Sequence, residues 1–337
     1  MDNPKRLERP VVLLVNLGTP DSPAPADVRP FLRKFLGDPR IIEMPRAVWK
    51  PILEGIILRT RPKESGKLYE SIWDLGEVQG SPLTYWSEQQ RKAIADRLGD
   101  AAHVALAMRY SDPEVPAALD SLMDQGFHRV LVVPIYPQYS ATTVAPIIDE
   151  VAHWLLKRRD QPEVRTLRSF PAAPAYISAL AQALRCYWAE HGEPNFEAGD
   201  KLLLSFHSIP EAMSKAGDPY KEECELTAEL LRAELGLEQA SAVTTYQSVF
   251  GPAKWIGPAT IDTVQQLAEA GSRRVDVICP GFTSDCLETL QEIDMLNRET
   301  FMEAGGKEFH YIPWANAAEP WLDALEEQVR LRLAGWL

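Results

Sequence analysis

The sequence has 337 residues, 45% of them hydrophobic, and a formal net charge of −13 at pH 7. This length allows two domains with hydrophobic cores, and the negative charge disfavours a nucleic-acid partner, because phosphate binding needs a basic face. No apolar run approaches about 18 residues, and no apolar segment of signal-peptide length follows the charged start, so we expect a cytoplasmic protein with neither a membrane span nor a signal peptide.

The first part of the chain predicts alternating strands and helices. An apolar run at 11–15 that ends in Asn16, Leu17 and Gly18 predicts a buried strand and its turn. Two further strands are predicted at 104–108 and 129–134. The sequence contains no dinucleotide-binding or P-loop glycine motif, which removes the main support for a nucleotide-binding enzyme.

A basic segment interrupts this acidic chain between Arg29 and Lys67, with ten basic and four acidic residues. Within it, apolar pairs recur every four residues over 48–57 and predict an amphipathic helix. Such a helix either packs on the core with solvated charges or forms an apolar lip over 41–58, rimmed by cations. A lip of this kind would make peripheral contact with a membrane surface and receive an anionic amphiphile.

The predicted domain boundary follows a helix at 145–159. Gln161-Pro162 is the predicted hinge, which gives a first domain over 1–160 and a second over 161–315. Helical spacing of leucines and valine in the last segment predicts a terminal helix, and we expect residues 316–337 to complete the first domain.

The two halves carry similar patterns. The pattern G-x-x-R-V-x-V occurs at 126–132 and again at 271–277, and residues 13–20 parallel residues 203–210. Two such matches in the same order predict two similar α/β domains facing each other across a cleft. In this alignment an apolar residue, Leu17, takes the place of His207.

The second half contains a histidine at the end of a predicted strand. The apolar run at 202–204 is too short for a helix and closes in Ser205, Phe206, His207 and Ser208, which predicts a buried strand of a parallel sheet. Open α/β sheets keep their ligand crevices at this end of their strands. A histidine here is either a structural hydrogen-bonding residue or a functional one.

A pair of carboxylates follows the next apolar strand, predicted at 275–278. N-cap residue types precede an apolar helical repeat, so we expect a helix that starts at about 285 with Asp285 as its cap. Glu288 then either closes a capping box or has a functional role. Glu292 lies one turn further on the same side of the helix, where like charges repel. Such a pair of carboxylates indicates a role in binding a cation or transferring protons.

Ordered motifs along nearly the whole chain resemble one family, the ferrochelatases, which insert ferrous iron into a porphyrin. These motifs are Asn16-Leu-Gly-Thr-Pro20, Phe31-Leu-Arg-Lys-Phe-Leu-Gly-Asp38, Gly80-Ser-Pro-Leu83, Met108-Arg-Tyr110, Tyr136-Pro-Gln-Tyr-Ser140, Ser205-Phe-His-Ser-Ile-Pro210, Tyr246-Gln-Ser248, Gly251-Pro252, Cys279-Pro-Gly-Phe282 and Ser284-Asp-Cys-Leu-Glu-Thr-Leu290. The resemblance implies two Rossmann-like domains of the chelatase-like fold, each a parallel four-stranded sheet flanked by helices.

The resemblance also implies the site. His207 and Glu288 correspond to the essential catalytic pair of the family, which also contacts the metal, and Glu292 lies next on the proton or metal path. The residues implied to bind the porphyrin are Leu17, Ser81, Arg109, Tyr110 and Tyr139. Arg109 has two interpretations, since it could pair with a substrate carboxylate or be structural.

The predicted chemistry requires the porphyrin to lose two pyrrole protons, which are too weakly acidic to leave unaided near neutral pH. A histidine can accept a proton or bind ferrous iron through its neutral ring, and a carboxylate can attract the cation or relay the proton. Whether His207 is the metal ligand or the proton acceptor stays open. Bending the ring in a stiff apolar cleft would expose its nitrogen lone pairs.

Two departures from the family pattern affect these expectations. Met295 and Leu296 stand where some relatives have a third acid beyond Glu288, and Val249 stands where many have a basic residue. The outer part of the metal path and any pairing through that base are therefore in question.

No cofactor is expected, with iron as a substrate. The four cysteines contain no CxxC pair, so we expect reduced, buried thiols. Some relatives hold an iron–sulfur cluster largely through cysteines in a C-terminal extension. Because this sequence ends at Leu337 without such cysteines, we expect no cluster.

The expected substrates are protoporphyrin IX and ferrous iron. Two alternatives stay open. One is an enzyme of the same fold that acts on coproporphyrin III or inserts cobalt, and the other is a non-catalytic porphyrin or haem carrier.

Overall fold

A computed structural model describes residues 8–251 and 253–337. The chain divides into two compact units, where the sequence predicts boundaries at 160 and 315. The first unit runs up to Ser169 and includes Leu325–Leu337, and the second is Phe170–Ala324. Residues 1–7 of the charged start and Pro252 of the Gly251-Pro252 motif lie outside the described residues.

The first unit is built on a parallel four-stranded sheet with the order β2-β1-β3-β4. Its central strand is buried throughout, which explains its continuous apolar sequence, since a parallel sheet is covered on both faces. The strands are β1 (Val11–Asn16), β2 (His103–Met108), β3 (Arg129–Pro134) and β4 (Glu163–Thr166).

Helices connect these strands and cover the sheet. They are α1 (Pro25–Gly37), α2 (Arg46–Ile52), a π-helical turn (Leu53–Ile57), α3 (Leu58–Glu70), α4 (Pro82–Leu98), a 3₁₀ turn (Gly99–Ala101), α5 (Val115–Asp124) and α6 (Val144–Leu156). The predicted lip at 41–58 falls on α2 and the π-helical turn. Leu53 is buried there, whereas Val48 is 50% and Ile56 58% exposed.

The second unit repeats the same topology. Its parallel sheet has the order β6-β5-β7-β8, with the first strand of the unit in the centre, as in the first unit. The strands are β5 (Lys201–His207), β6 (Ala242–Gln247), β7 (Arg274–Ile278) and β8 (Glu308–Tyr311). The prediction of two similar domains with parallel four-stranded sheets is confirmed.

The second unit is also flanked by helices. They are α7 (Pro174–His191), a 3₁₀ turn (Phe196–Ala198), α8 (Glu211–Lys215), α9 (Tyr220–Leu235), α10 (Thr260–Glu269), a π-helix (Leu287–Asn297) and α11 (Arg298–Glu303). The last helix, α12 (Glu319–Leu333), contains the boundary between the units. Within the described ranges, no helix has the length and apolar character needed to cross a bilayer.

The topology of the second unit determines where a ligand crevice can form. The strand order reverses around β5, which pairs with β6 on one side and β7 on the other. Chain segments that leave β5 and β7 turn in opposite directions, so a crevice opens at the carboxyl ends of these strands. His207 ends β5, and the segment that leads to Glu288 follows β7.

The four cysteines are free thiols. Cys224, Cys279 and Cys286 are buried, as predicted, whereas Cys186 is exposed on α7, so the prediction of a buried side chain is wrong for Cys186. Burial raises the pKa of the Cys279 and Cys286 thiols well above its ordinary value, which keeps them protonated and unreactive.

Candidate functional site

The half-buried His207 lies at the carboxyl end of β5, in register with Gln247 of β6. Its Nδ1 lies 2.5 Å from the main-chain oxygen of Ser208. Because a carbonyl oxygen only accepts hydrogen bonds, Nδ1 carries the proton and donates it. In the neutral ring Nε2 therefore holds the lone pair, which can accept a proton or bind a metal ion.

The predicted helix after β7 is a π-helix, and its cap differs from the prediction. Cys286 is the N-cap residue, and its N–H donates to Oγ1 of Thr289 at 3.0 Å. The interpretation of Asp285 as cap with Glu288 closing the capping box is therefore wrong. The helix starts one residue later than predicted. The third helical position, whose side chain bonds back to the N–H of the cap residue, is therefore Thr289 instead of Glu288. The carboxylate of Glu288 instead contacts the thiol of the cap residue Cys286.

Asp285 has a different structural role. Its carboxylate accepts hydrogen bonds from three side chains, which are Thr289 (2.8 Å), Tyr311 (2.5 Å) and Asn316 (2.7 Å). Its own N–H donates to Oδ1 of Asn316 at 2.8 Å. These bonds tie the start of the π-helix to β8 and to the segment after it, so the carboxylates of the helix project from a fixed backbone.

Glu292 is brought together with both predicted catalytic residues. Burial raises the pKa of its carboxyl group above the ordinary value, and the nearby charge of Glu288 raises it further. Hydrogen bonds from Ser248 and the charge of His207 act in the opposite direction. His207 is in register with Gln247. The next residue, Ser248, bonds to Glu292, and Glu288 lies on the same helix as Glu292. One imidazole and two carboxylates are therefore positioned at this end of the sheet.

Gln247 connects the π-helix to the sheet through hydrogen bonds of its side chain. Its side-chain amide donates to the main-chain oxygen of Glu288 at 2.7 Å. Its side-chain oxygen accepts from Oγ of Ser205 at 2.9 Å and from Sγ of Cys279 at 3.5 Å. These buried polar groups satisfy one another, as a low-dielectric interior requires.

Ser248 follows directly and contacts the second carboxylate of the helix. Both its N–H and its hydroxyl donate to Glu292 at 2.6 Å. Sequence reasoning identified Gln247 and Ser248 only as members of a motif and assigned them no role. The available signal was their position after a predicted strand of the same sheet as His207.

The arrangement provides a lone-pair nitrogen, the Glu288 carboxylate and the Glu292 carboxyl group, whose pKa is raised by burial, at one end of the sheet. Such a set can attract a divalent cation and accept or relay protons. Among the side chains that the structure describes, no group of three or more His, Cys, Asp or Glu residues has the arrangement of a metal-holding cluster.

Arg109, one of the residues predicted to bind the porphyrin, is paired within the first unit. Its guanidinium lies 2.7 Å from Asp38 and 3.3 Å from Glu150, and its side chain is 17% exposed. Tyr110 is 1% exposed, and its hydroxyl donates to the same Asp38 carboxylate at 3.0 Å. Burial raises the pKa of Tyr110. The guanidinium of Arg109 is therefore neutralised by protein carboxylates, which is the geometry of a structural arginine.

Leu17 directly follows β1, a central strand of the sheet in the first unit. The N–H of Leu17 is bonded to the side chain of Asn16 at 2.8 Å, and its carbonyl accepts from the N–H of Tyr110 at 2.9 Å. The structure thus brings Leu17, Arg109 and Tyr110 together. Ser81 is buried and directly precedes α4.

Tyr139 lines a cavity of about 320 Å³ in the first unit. Arg168 stacks on its ring, with the guanidinium carbon 4.0 Å from the ring centroid. Arg40 and Asp149, another lining pair, form an ion pair at 2.8 Å. Tyr139 is therefore held by cationic neighbours at this cavity.

Comparisons with known proteins agree with this fold. The sequence matches the family model described as Ferrochelatase over residues 9–333. A curated protein named Ferrochelatase, from Aromatoleum aromaticum (strain DSM 19018 / LMG 30748 / EbN1), is 49% identical over 334 residues, which are 98% of this chain and 89% of that protein.

Solved structures with the same fold include two of SirB. SirB from Bacillus subtilis with Fe3+ matches with a TM-score of 0.56 at 11% identity, over 97% of this chain and 96% of that chain. The sirohydrochlorin chelatase SirB from Bacillus subtilis subspecies spizizenii, in complex with cobalt, matches with a TM-score of 0.53 at 11% identity and the same coverage. At this identity the likeness shows a shared fold.

Proposed function

The chain belongs to the ferrochelatase family, and we propose that the porphyrin it uses is protoporphyrin IX, with protohaem as the product. As a member of this family it is a lyase of haem biosynthesis, and its substrates are a porphyrin and iron. The single observation that carries the proposed mechanism is the grouping of His207, Glu288 and Glu292 in the second unit.

His207 and Glu288 are the proposed catalytic residues. With the Nδ1 proton of His207 donated to the main-chain oxygen of Ser208, Nε2 is the atom that accepts a pyrrole proton or binds the incoming ferrous ion. Glu288, in the first turn of the π-helix after β7, is proposed to supply negative charge at the same end of the sheet. Negative charge attracts an approaching cation.

Glu292 is proposed to be the next residue, after Glu288, on the path of protons or metal. Its raised pKa brings the carboxyl group closer to neutral pH, where uptake and release of a proton are both accessible. Its position one helical turn from Glu288 gives a short path along one side of the π-helix. Two protons leave the porphyrin for each ferrous ion inserted, so a path for protons is required in every turnover.

The choice of protoporphyrin IX is supported by the apolar lip of the first unit. Met44, Val48 and Ile56 are exposed there among basic residues. Protoporphyrin IX has two carboxylates on one edge and hydrocarbon elsewhere, whereas coproporphyrin III has carboxylates around the ring. An apolar surface with cations at its rim matches the first distribution better.

We further propose that this lip holds a cytoplasmic protein against an anionic membrane surface. Exposed apolar side chains between cations favour binding at the headgroup boundary. Vesicles with anionic lipid should therefore co-sediment with the parent protein, and a Val48→Glu, Ile56→Glu double variant should lose this binding. Leu156→Glu, at a residue that is 80% exposed on α6, is the matched control and should still bind. Equal sedimentation of all three proteins would reject the membrane contact.

Anaerobic fluorescence titration tests the proposed substrate. Purified protein with protoporphyrin IX should lose free-porphyrin fluorescence when ferrous iron is added, at a rate proportional to enzyme concentration. The same assay with coproporphyrin III and with Co2+ measures the competing activities. A strong preference for coproporphyrin III or for cobalt would overturn the proposal, and tight porphyrin binding without metal uptake would indicate a carrier.

A further inference from the structure

Ser248 has an unusual backbone conformation at the end of β6. Its φ is +65°, a left-handed conformation that residues other than glycine adopt at an energetic cost. This conformation directs two donors to one carboxylate. The N–H of Ser248 donates to Oε1 of Glu292, and its hydroxyl donates to Oε2, both at 2.6 Å.

Two donors on the two oxygens of one carboxylate fix its orientation. Hydrogen bonds to an ionised acceptor are short and strong, and a pair of them prevents rotation about the terminal bond of the side chain. The backbone of Glu292 is held as well, because Asn297 donates its side-chain amide to the Glu292 carbonyl at 2.6 Å. Glu292 is thus fixed at both ends.

We propose that Ser248 is a positioning residue for metal insertion, which holds the Glu292 carboxylate beside Glu288. This inference rests on the role proposed above for Glu292 and assigns the group that places it. The positive φ has a functional explanation on this basis, since φ sets where the Cβ of Ser248 lies relative to its own N–H and so allows both donors to reach one carboxylate. Gln247, the preceding residue, holds the Glu288 carbonyl, so the same turn locates both acidic positions.

Ser248→Ala removes the hydroxyl donor and keeps the main-chain donor. We expect kcat/KM for ferrous iron to fall about tenfold or more, as for the loss of a hydrogen bond to a charged group, with the KM for porphyrin unchanged. Ser248→Gly also removes the hydroxyl but accepts the positive φ without strain, so it provides a folded second variant. Ser241→Ala, just before the other end of β6, is the matched control and should resemble the parent.

A double-mutant cycle with Glu292→Gln separates positioning from a general structural effect. If Ser248 acts through Glu292, then Ser248→Ala should have almost no further effect on iron insertion in the Glu292→Gln background. An equal loss in both backgrounds, or an equal rise in the KM values for iron and porphyrin, would overturn the positioning role.

The same double-mutant cycle distinguishes two outcomes. Either Ser248 does not position Glu292, or Glu292 is not on the path of protons or metal. Parent activity in Ser248→Ala and Ser248→Gly, together with a clear loss in Glu292→Gln, would reject the positioning role alone. Parent activity in Glu292→Gln would reject both the path and the positioning role. Anaerobic fluorescence of the free porphyrin, with ferrous iron and porphyrin varied separately, measures every quantity in the cycle.

Discussion

The side-chain amide of Gln247 donates a hydrogen bond of 2.7 Å to the main-chain oxygen of Glu288. This bond joins the end of one strand to the first turn of the π-helix. It connects the sheet, which carries His207, with the helix, which carries both carboxylates. The geometry of the site therefore depends on buried polar groups that perform no chemistry themselves.

Replacing Gln247 with Leu should destabilise the protein and slow metal insertion. The variant removes one hydrogen-bond partner from the Glu288 carbonyl and one from the Ser205 hydroxyl. This loss should lower the free energy of unfolding by about 1–3 kcal/mol. Urea unfolding and the insertion assay measure the two effects. Gln125→Leu, at an exposed amide on the end of α5, is the control and should change stability little. Parent-like stability of Gln247→Leu would contradict the anchoring role.

His207→Ala should abolish metal insertion and retain porphyrin binding. The variant removes the nitrogen lone pair but leaves the strand and its apolar neighbours in place, so we expect a loss of at least about a hundredfold in kcat. Fluorescence titration measures porphyrin binding, and the anaerobic assay measures insertion. His153→Ala, at an exposed position on α6, serves as the control. A nearly active His207→Ala protein would remove the imidazole from the mechanism.

Arg109→Ala distinguishes the two interpretations of this arginine. The change leaves the buried Asp38 carboxylate without its cation, which should lower the free energy of unfolding by about 3 kcal/mol. Arg61→Ala breaks an exposed pair with Glu64 and should cost less than about 1 kcal/mol. Urea denaturation of both variants gives the comparison. If Arg109→Ala keeps its stability and raises only the KM for porphyrin, the arginine binds a substrate carboxylate instead.

His310 should make the protein less stable in mild acid. Burial lowers the pKa of this histidine below its ordinary value of 6.5, as do the charges of Arg274 and Arg298, while Asp276 and Glu308 oppose the shift. The folded state then binds fewer protons than the unfolded state, so this contribution to stability is complete above pH 6.5 and is lost as the pH falls below it.

His310→Gln tests this pH dependence, because a glutamine oxygen can still accept the hydrogen bond from the Tyr187 hydroxyl. Urea unfolding between about pH 5 and pH 8 should show a smaller loss of stability in acid than in the parent. His153→Gln, at an exposed histidine, should keep the parent profile. A parent-like profile for His310→Gln would show that other groups cause the acid sensitivity.

The sequence alone determined the fold class and the family. Buried parallel strands require continuous apolar runs, and the repeated patterns of the two halves report two copies of one topology. Apolar runs in the sequence placed the histidine and the carboxylates after central strands, and the family resemblance then marked them as candidates for the site. Their catalytic roles stay predictions that the variants above test.

Only the tertiary structure decided how these groups are held. The cap of the π-helix is Cys286 instead of Asp285, because Tyr311 and Asn316, distant in sequence, occupy the Asp285 carboxylate. The same holds for Ser248, whose contact with Glu292 joins residues 44 positions apart. Local patterns encode strands, turns and helix starts, whereas hydrogen bonds between distant residues depend on strand order and register, which arise only when the whole sheet has formed.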